Sequence, residues 1–234
     1  MKYFTFLVSD GKPFVFLRGK DKLMKYLTLG IIVFSFILAL GFYQSACFPQ
    51  KMASHWNIQG EVDGYLPKFW GLFLMPVISL ILFFLFLLVP KIDPLKENYK
   101  NFRKYYEGFM ILLTVFFFYI YSLTILWNIG VRFNMTKAMV PAMSVFFFYI
   151  GILVENAKRN WFVGIRTPWT LSSDSVWDKT HKLGGKLFKA ASILGLLGLF
   201  FPDYAFFFMI FSVVAVSLYL IIYSYLVFKQ FSKE

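Results

Sequence analysis

Long apolar runs separated by short basic connections dominate the pattern of hydrophobic and polar positions along this chain. A helix that crosses the hydrocarbon core of a bilayer needs about 20 residues, and six runs reach or approach that length. They are Tyr26–Phe48, Phe69–Val89, Phe109–Asn128, Ala138–Val154, Leu187–Phe201 and Tyr204–Phe228. Pro202-Asp203 predicts a tight turn between the last two runs. The pattern therefore predicts an all-α polytopic membrane protein with six transmembrane helices within residues 26–234.

Lysine and arginine are distributed unevenly over the connections between these runs. Six lie before the first run, five lie between the second and third, and six lie between the fourth and fifth, whereas the connections on the other side hold four together. Because cytoplasmic loops carry the excess of basic residues, this distribution predicts that both termini are cytoplasmic in the plasma membrane. Residues 49–68 then form an outer loop, and residues 155–186 form an inner loop.

Composition agrees with a membrane protein and argues against nucleic-acid binding. Of the 234 residues, 59% are hydrophobic and 22% are aromatic, which is more apolar surface than a soluble domain of this length can bury. The net charge of +12 is gathered in the connections, as expected for loops held against an anionic leaflet. We therefore expect membrane lipids as partners and no direct contact with nucleic acid.

The first 25 residues form a basic leader that contains a weaker pattern. Two short apolar stretches, Tyr3–Val8 and Phe14–Leu17, flank Asp10-Gly11, a dipeptide that favours a two-residue hairpin turn. A hairpin packed on the headgroups and a disordered basic leader both fit this pattern.

Side chains suited to acid–base or metal chemistry are scarce in the predicted spans. Apart from Lys189 in the short fifth run, these spans contain no Asp, Glu, Lys, Arg or His, which argues against a proton-coupled pump. The two histidines, His55 and His181, fall in loops on opposite sides of the bilayer. Neither has the ligand spacing of a zinc enzyme. The sequence predicts a protein that is not an enzyme and has no catalytic residue, metal or cofactor.

The outer loop contains a segment that is unusually rich in turn-forming and amphipathic residues. Glycines at 60 and 64 suit tight turns, the second within an Asp-Gly pair, and the aromatic residues are typical of the headgroup level. The segment is interpreted either as an interface anchor or as an outward binding surface. The candidate binding residues are His55, Trp56, Asn57, Gly60, Asp63 and Tyr65.

The inner loop contains a break followed by an amphipathic helix. Thr167 precedes a proline and is therefore expected to be extended. From Asp174 to Leu183, helical winding places Val176, Trp177, Thr180 and Leu183 on one side and His181 among the polar residues on the other. This pattern predicts a short helix in the cytoplasmic interface that ends at Gly184, with Gly185 as a flexible entry to the fifth span. A purely structural linker is the alternative.

One basic residue of this loop is a candidate for contact with lipid. Arg166 lies between Trp161 and Trp169 in the sequence, and its guanidinium is suited to binding a lipid phosphate or to stacking on an indole.

The inner loop resembles the signature of the SdpI family, membrane proteins named for immunity to a sporulation-delaying peptide toxin. The resemblance rests on the run from Asn160 to Ser172, then on Val176-Trp177, Thr180-His181 and Gly184-Gly185-Lys186. The outer segment from His55 to Tyr65, followed by Lys68, is similar to the short domain of unknown function DUF1648 that often occurs in the same proteins.

The resemblance implies a role and two sites. It implies protection of the host membrane against a secreted peptide toxin and, in the founding type, retention of a small cytoplasmic repressor by the toxin-bound protein. The outer segment would meet the peptide, and the inner loop would respond or dock a partner. The inner candidate residues are Asn160, Gly164, Arg166, Thr167, Pro168, Trp169, Thr170, Trp177, His181, Gly184 and Gly185.

Two other classes of function remain open at this stage. One is a small transporter or channel for a peptide, a lipid or an ion, and the other is a structural accessory to another membrane complex.

Overall fold

A computed structural model shows a bundle of long helices that carries a small β-hairpin at one end. It describes residues 17–201 and 204–231, with side chains from residue 22 onward. The hairpin predicted in the leader and the turn predicted at Pro202-Asp203 lie outside the described residues. The helices are α1 Leu17–Gln44, α2 Lys68–Ile92, α3 Tyr99–Asn128, α4 Met135–Asn156, α5 Pro168–Ser172, α6 Asp174–Gly195 and α7 Ser212–Phe231. A 3-10 turn, Leu196–Leu199, extends α6, and a π-helical turn, Phe207–Phe211, leads into α7.

The six long helices alternate in direction, so their connections gather at two ends of the bundle. We call one the hairpin end, where the β-strands lie, and the other the motif end, where residues 156–186 lie. Helix α2 joins the two ends and, with 25 residues, is about 37 Å long. This length is sufficient to cross a bilayer.

Five of the described helices are long and apolar enough to cross a membrane, and the chain is a multi-pass membrane protein. The five are Lys22–Gln44, Lys68–Ile92, Lys96–Asn128, Met135–Asn156 and Phe207–Phe231. Helix α6, which contains most of the fifth predicted run, is not among them because its first half is charged. The six-span topology with both termini inside therefore stays a prediction.

The prediction that the helix starting at Asp174 is short and ends at Gly184 is wrong. Helix α6 continues from Asp174 to Gly195, and Gly184 and Gly185 lie in its middle. A Cβ on Gly185 would lie 2.4 Å from the Cβ of Glu155 and 2.8 Å from the carbonyl oxygen of Gly151. The glycine pair therefore lets α6 lie directly against α4 and does not end the helix. One turn further along, Lys189 forms an ion pair with Glu155 across the same contact.

The segment predicted as an outer loop contains two antiparallel strands, β1 Lys51–Trp56 and β2 Val62–Pro67. The hairpin is attached to the bundle through Asn128 at the end of α3. The Asn128 side chain accepts a hydrogen bond from the Ala53 amide at 2.8 Å and donates one to the Ala53 carbonyl at 2.9 Å. These two bonds replace the cross-strand partner that an edge strand lacks, so the hairpin has a defined orientation on the helices.

Candidate functional site

Asn160 organises the backbone at the start of the inner motif. Its side chain is fully buried and makes five hydrogen bonds. The amide nitrogen donates to the carbonyls of Lys158 and Val163, each at 2.8 Å. The amide oxygen accepts from the backbone of Phe162 and Val163 and from the Tyr99 hydroxyl at 3.2 Å. A buried amide with its bonds satisfied fixes local geometry, so Asn160 acts through the segment that it holds.

Asp93, which the sequence reasoning missed, holds the same segment from the end of α2. Its carboxylate is 1% exposed and accepts hydrogen bonds from the Leu95 amide at 2.7 Å and the Trp161 amide at 2.9 Å. The Tyr99 hydroxyl lies 3.3 Å from this carboxylate and 3.2 Å from the Asn160 amide oxygen, so its one hydrogen is shared between the two acceptors. A single carboxylate between Lys91 and Pro94, immediately after an apolar run, was the available signal. Its partner at Trp161 is 68 positions away, a separation that no local pattern reveals.

His181 is buried beneath the motif, so its predicted place on a polar, exposed side is wrong. Its side chain is stacked on Trp177 with ring centroids 3.8 Å apart. Nδ1 lies 2.8 Å from the Trp177 carbonyl oxygen, and Nε2 lies 3.0 Å from the Ile165 amide nitrogen. The partners assign the tautomer, because Nδ1 must donate and Nε2 must accept. Gly164, with φ of +119°, makes room for this contact, since a Cβ there would lie 2.4 Å from Nε2.

Burial lowers the pKa of His181 to about 4, despite the opposing effects of the Trp177 carbonyl and Asp178. The neutral ring is the form that accepts the Ile165 amide hydrogen. Protonation would place two N–H groups facing each other, so the folded motif favours the neutral form of His181.

Acidification should therefore weaken the fold at the motif end. The folded pKa is below the unfolded value of 6.5, so the unfolded chain binds more protons between the two values and stability falls as the pH falls. Between pH 7 and pH 5 this group should cost about 2 kcal/mol. Thermal unfolding of the purified protein at the two pH values measures the effect. His181→Gln, which retains an acceptor, should remove most of the difference, and an unchanged difference in that variant would contradict the assignment.

Trp177 is fully buried and belongs to the core of the motif end. Its indole nitrogen donates a hydrogen bond of 2.8 Å to the Ala157 carbonyl, and its ring packs among Tyr99, Phe102 and Leu153. The amphipathic pattern of α6 was predicted correctly for Val176, Trp177 and Thr180, all of which are buried. Their buried face meets protein and not the lipid interface.

The predicted break at Thr167-Pro168 is present, and hydrogen bonds fix its conformation. Thr167 is extended with φ of −105° and ψ of 161°, and Pro168 starts the five-residue helix α5. Thr167 and Thr170 form a reciprocal capping box, each side chain accepting a hydrogen bond from the other's backbone amide. The Thr167 hydroxyl also lies 3.0 Å from the hydroxyl of Ser224 on α7. Trp169 contacts Tyr225 of the same helix, with ring centroids 5.1 Å apart.

Arg166 is an exposed cation of the motif end. One guanidinium nitrogen donates to the Trp161 carbonyl at 2.8 Å, so its contact with that residue is to the backbone and not to the indole face. The side chain lines a cleft of about 800 Å³ that extends between the helices beneath the segment from Phe162 to Trp169. The remaining walls come from α2, α3, α4, α6 and α7.

At the hairpin end, the outer candidates differ in exposure. His55, Asp63 and Tyr65 are exposed, whereas Trp56, Asn57 and Gly60 are partly or fully buried. Asn57 closes the turn, because its side-chain oxygen accepts from the amides of Gln59 and Glu61. Gly60, with φ of +82°, completes it. The Asp63-Gly64 pair, predicted as a turn, lies within β2 opposite His55.

The side chains of the outer candidates form two further contacts. Asp63 contacts His55 at 2.5 Å on the exposed side of the hairpin. Trp56 packs edge-on against Trp127 at 5.8 Å, while Tyr65 is 61% exposed. The turn also borders an apolar cavity of about 390 Å³. This cavity is lined by Met135, Met139, Met143, Met209 and neighbouring residues.

The two histidines lie at opposite ends of the bundle, as their loops require. Across the described ranges 17–201 and 204–231, no three His, Cys, Asp or Glu side chains converge as they would around a metal ion.

Two family profiles match this chain, one over the segment that contains the motif and one over the segment that contains the hairpin. The sequence profile of the SdpI/YfhL protein family matches residues 156–224, from the end of α4 through the motif to Ser224. The profile of the domain of unknown function DUF1648 matches residues 30–80, which include the hairpin and the first half of α2. The resemblance to the SdpI family is confirmed. No solved structure matches the chain.

A curated relative is similar over most of its length. The chain is 25% identical over 205 residues to the immunity protein SdpI of Bacillus subtilis (strain 168). The alignment includes 86% of this chain and 93% of the relative. The similarity therefore extends beyond the SdpI/YfhL segment to both halves of the bundle.

Proposed function

We propose that this chain is an SdpI-like immunity protein, without enzymatic activity, that protects its host membrane against a secreted peptide toxin. The observation that carries the proposal is the alignment with an immunity protein over 93% of that relative, which includes both the motif and the hairpin. The hairpin end would meet the peptide. The motif end would respond to it and, as the resemblance implies, dock a small cytoplasmic repressor.

The two ends offer surfaces of different chemistry, which supports this division of roles. At the hairpin end, the exposed Ile58 lines an apolar, methionine-rich cavity, which suits an apolar peptide segment. At the motif end, Lys158 and Arg159 pair with Asp178 and Asp174, so the surface has fixed charges on a rigid base. A rigid charged surface suits recognition of a polar partner.

The proposal is tested by expression in a bacterial strain that is sensitive to the sporulation-delaying peptide. Cells with the protein in the membrane should survive toxin doses that kill cells with an empty vector. Equal killing at confirmed membrane abundance would overturn the proposal for this toxin class. Toxin-independent flux of a lipid or an ion through liposomes containing the protein would favour a transporter.

The division of roles also requires that the hairpin face outward. Gln59 at the hairpin turn and Ser175 at the motif end are both exposed, and Cys47 is the one native cysteine. In a Cys47→Ser background, Gln59→Cys should react with an impermeant thiol reagent on intact cells, whereas Ser175→Cys should react only after permeabilisation. The reverse labelling pattern would exchange the roles of the two ends.

A further inference from the structure

We propose that the cleft beneath the motif binds one anionic phospholipid, with an acyl chain between the helices and the phosphate at Arg166. The walls are apolar, with Phe86, Phe109 and Ile150 among the lining residues. A volume of about 800 Å³ lies within the range of sites that enclose small molecules. Leu85 and Ile221, which line the cleft, are 46% and 45% exposed, so the cleft is open to the hydrocarbon that surrounds α2 and α7.

The depth of the cleft fits a lipid of one leaflet. Leu82 is the lining residue of α2 furthest from the motif end, and it precedes Asp93 by 11 positions. At 1.5 Å per residue, the cleft reaches about 16 Å from the motif end. Half of a hydrocarbon core is about 15 Å. The cleft is therefore long enough for an acyl chain of the leaflet at the motif end, and it stops near the middle of the bilayer.

The charge at the mouth of the cleft selects an anion. Arg166 is the one charged residue that lines the described cleft, and among the described residues it has no carboxylate partner. Neighbouring basic residues are compensated, since Lys158, Arg159 and Lys189 each pair with an acidic side chain. The guanidinium uses one nitrogen on the Trp161 carbonyl, which leaves donors in the planar geometry that binds phosphate. An uncompensated cation above an apolar cleft fits a lipid phosphate better than it fits an apolar peptide.

Four variants test the headgroup contact and the acyl-chain contact separately. Arg166→Gln removes the charge, and its control is Lys182→Gln, an exposed cation of α6 that does not line the cleft. Ile221→Trp fills the cleft, and its control is Ile222→Trp, at the neighbouring and 60% exposed position. The two positions on α7 are 45% and 60% exposed, so we expect both tryptophan variants to fold.

Native mass spectrometry of the purified protein with added phosphatidylglycerol or phosphatidylcholine measures binding directly. The wild type should retain one phosphatidylglycerol at least tenfold more tightly than phosphatidylcholine, and glycerol phosphate should not compete. Arg166→Gln and Ile221→Trp should each weaken retention at least tenfold, while both controls should match the wild type.

Each other outcome overturns a stated part of the proposal. Normal retention in both test variants removes the site. Loss in Arg166→Gln alone places the acyl chain outside the cleft, and loss in Ile221→Trp alone removes headgroup recognition by Arg166. A co-purified peptide in place of lipid assigns the cleft to a different occupant. The experiment uses no toxin, so its result is independent of the proposed immunity function.

Discussion

Replacing Trp177 with alanine should remove most of the folded protein from the membrane. The side chain is fully buried, stacked on His181 and bonded to the Ala157 carbonyl, so the change leaves a cavity and an unpaired acceptor. Truncation of a buried tryptophan costs about 3–5 kcal/mol, which is a large share of a total stability of about 5–15 kcal/mol. We expect abundance in the membrane and the thermal midpoint to fall together, and toxin protection to fall only as far as abundance does.

Trp161→Ala is the matched control, because that indole belongs to the same motif and is 50% exposed. It should leave abundance and the thermal midpoint nearly unchanged. Normal abundance of Trp177→Ala would contradict the packing described for the motif end. Trp177 is one of the inner candidate residues, and its complete burial predicts that it acts through the fold of the motif end.

Replacing Gly185 with alanine should also destabilise the protein, although alanine is the better helix former. Intrinsic propensity alone predicts a gain of about 1 kcal/mol in the middle of a helix. The new Cβ would instead meet the Glu155 Cβ at 2.4 Å and the Gly151 carbonyl at 2.8 Å, and backbone cannot move aside cheaply. Overpacking of this kind costs about 1–3 kcal/mol. The thermal midpoint of the purified variant should fall.

Gly41→Ala is the control, for which we do not expect the thermal midpoint to fall. Gly41 lies within α1, and a Cβ there meets nothing within 4 Å, so propensity should decide the outcome and the midpoint should hold or rise. A rise for Gly185→Ala would show that α6 does not lie against α4 as described.

Features set by neighbouring residues could be predicted from the sequence. The Thr167-Pro168 break and the buried positions of Val176, Trp177 and Thr180 follow from local sterics and helical periodicity. The positions of four apolar spans agree with α1, α2, α3 and α4 to within a few residues at most ends, because the bilayer imposes their length.

Features set by distant contacts could not be predicted. A glycine pair after an amphipathic stretch looks like a helix stop, and only the partner surface at Gly151 and Glu155 shows that it is a packing site. The β-hairpin was missed because its docking partner, Asn128, is 75 positions from Ala53. The role of Asp93 likewise depends on residues 68 positions away.

Arg166 gives the most direct test of the central claim, that the motif end works in protection and is not a passive linker. The comparison is between Arg166→Ala and Lys182→Ala, both at exposed cations of the motif end, in toxin-challenged cells at equal membrane abundance. The guanidinium lies at the mouth of the cleft and makes one hydrogen bond to backbone, so its removal should spare the fold. We expect Arg166→Ala to lose protection at least tenfold in toxin dose while Lys182→Ala keeps it. Equal protection by the two variants would contradict the claim.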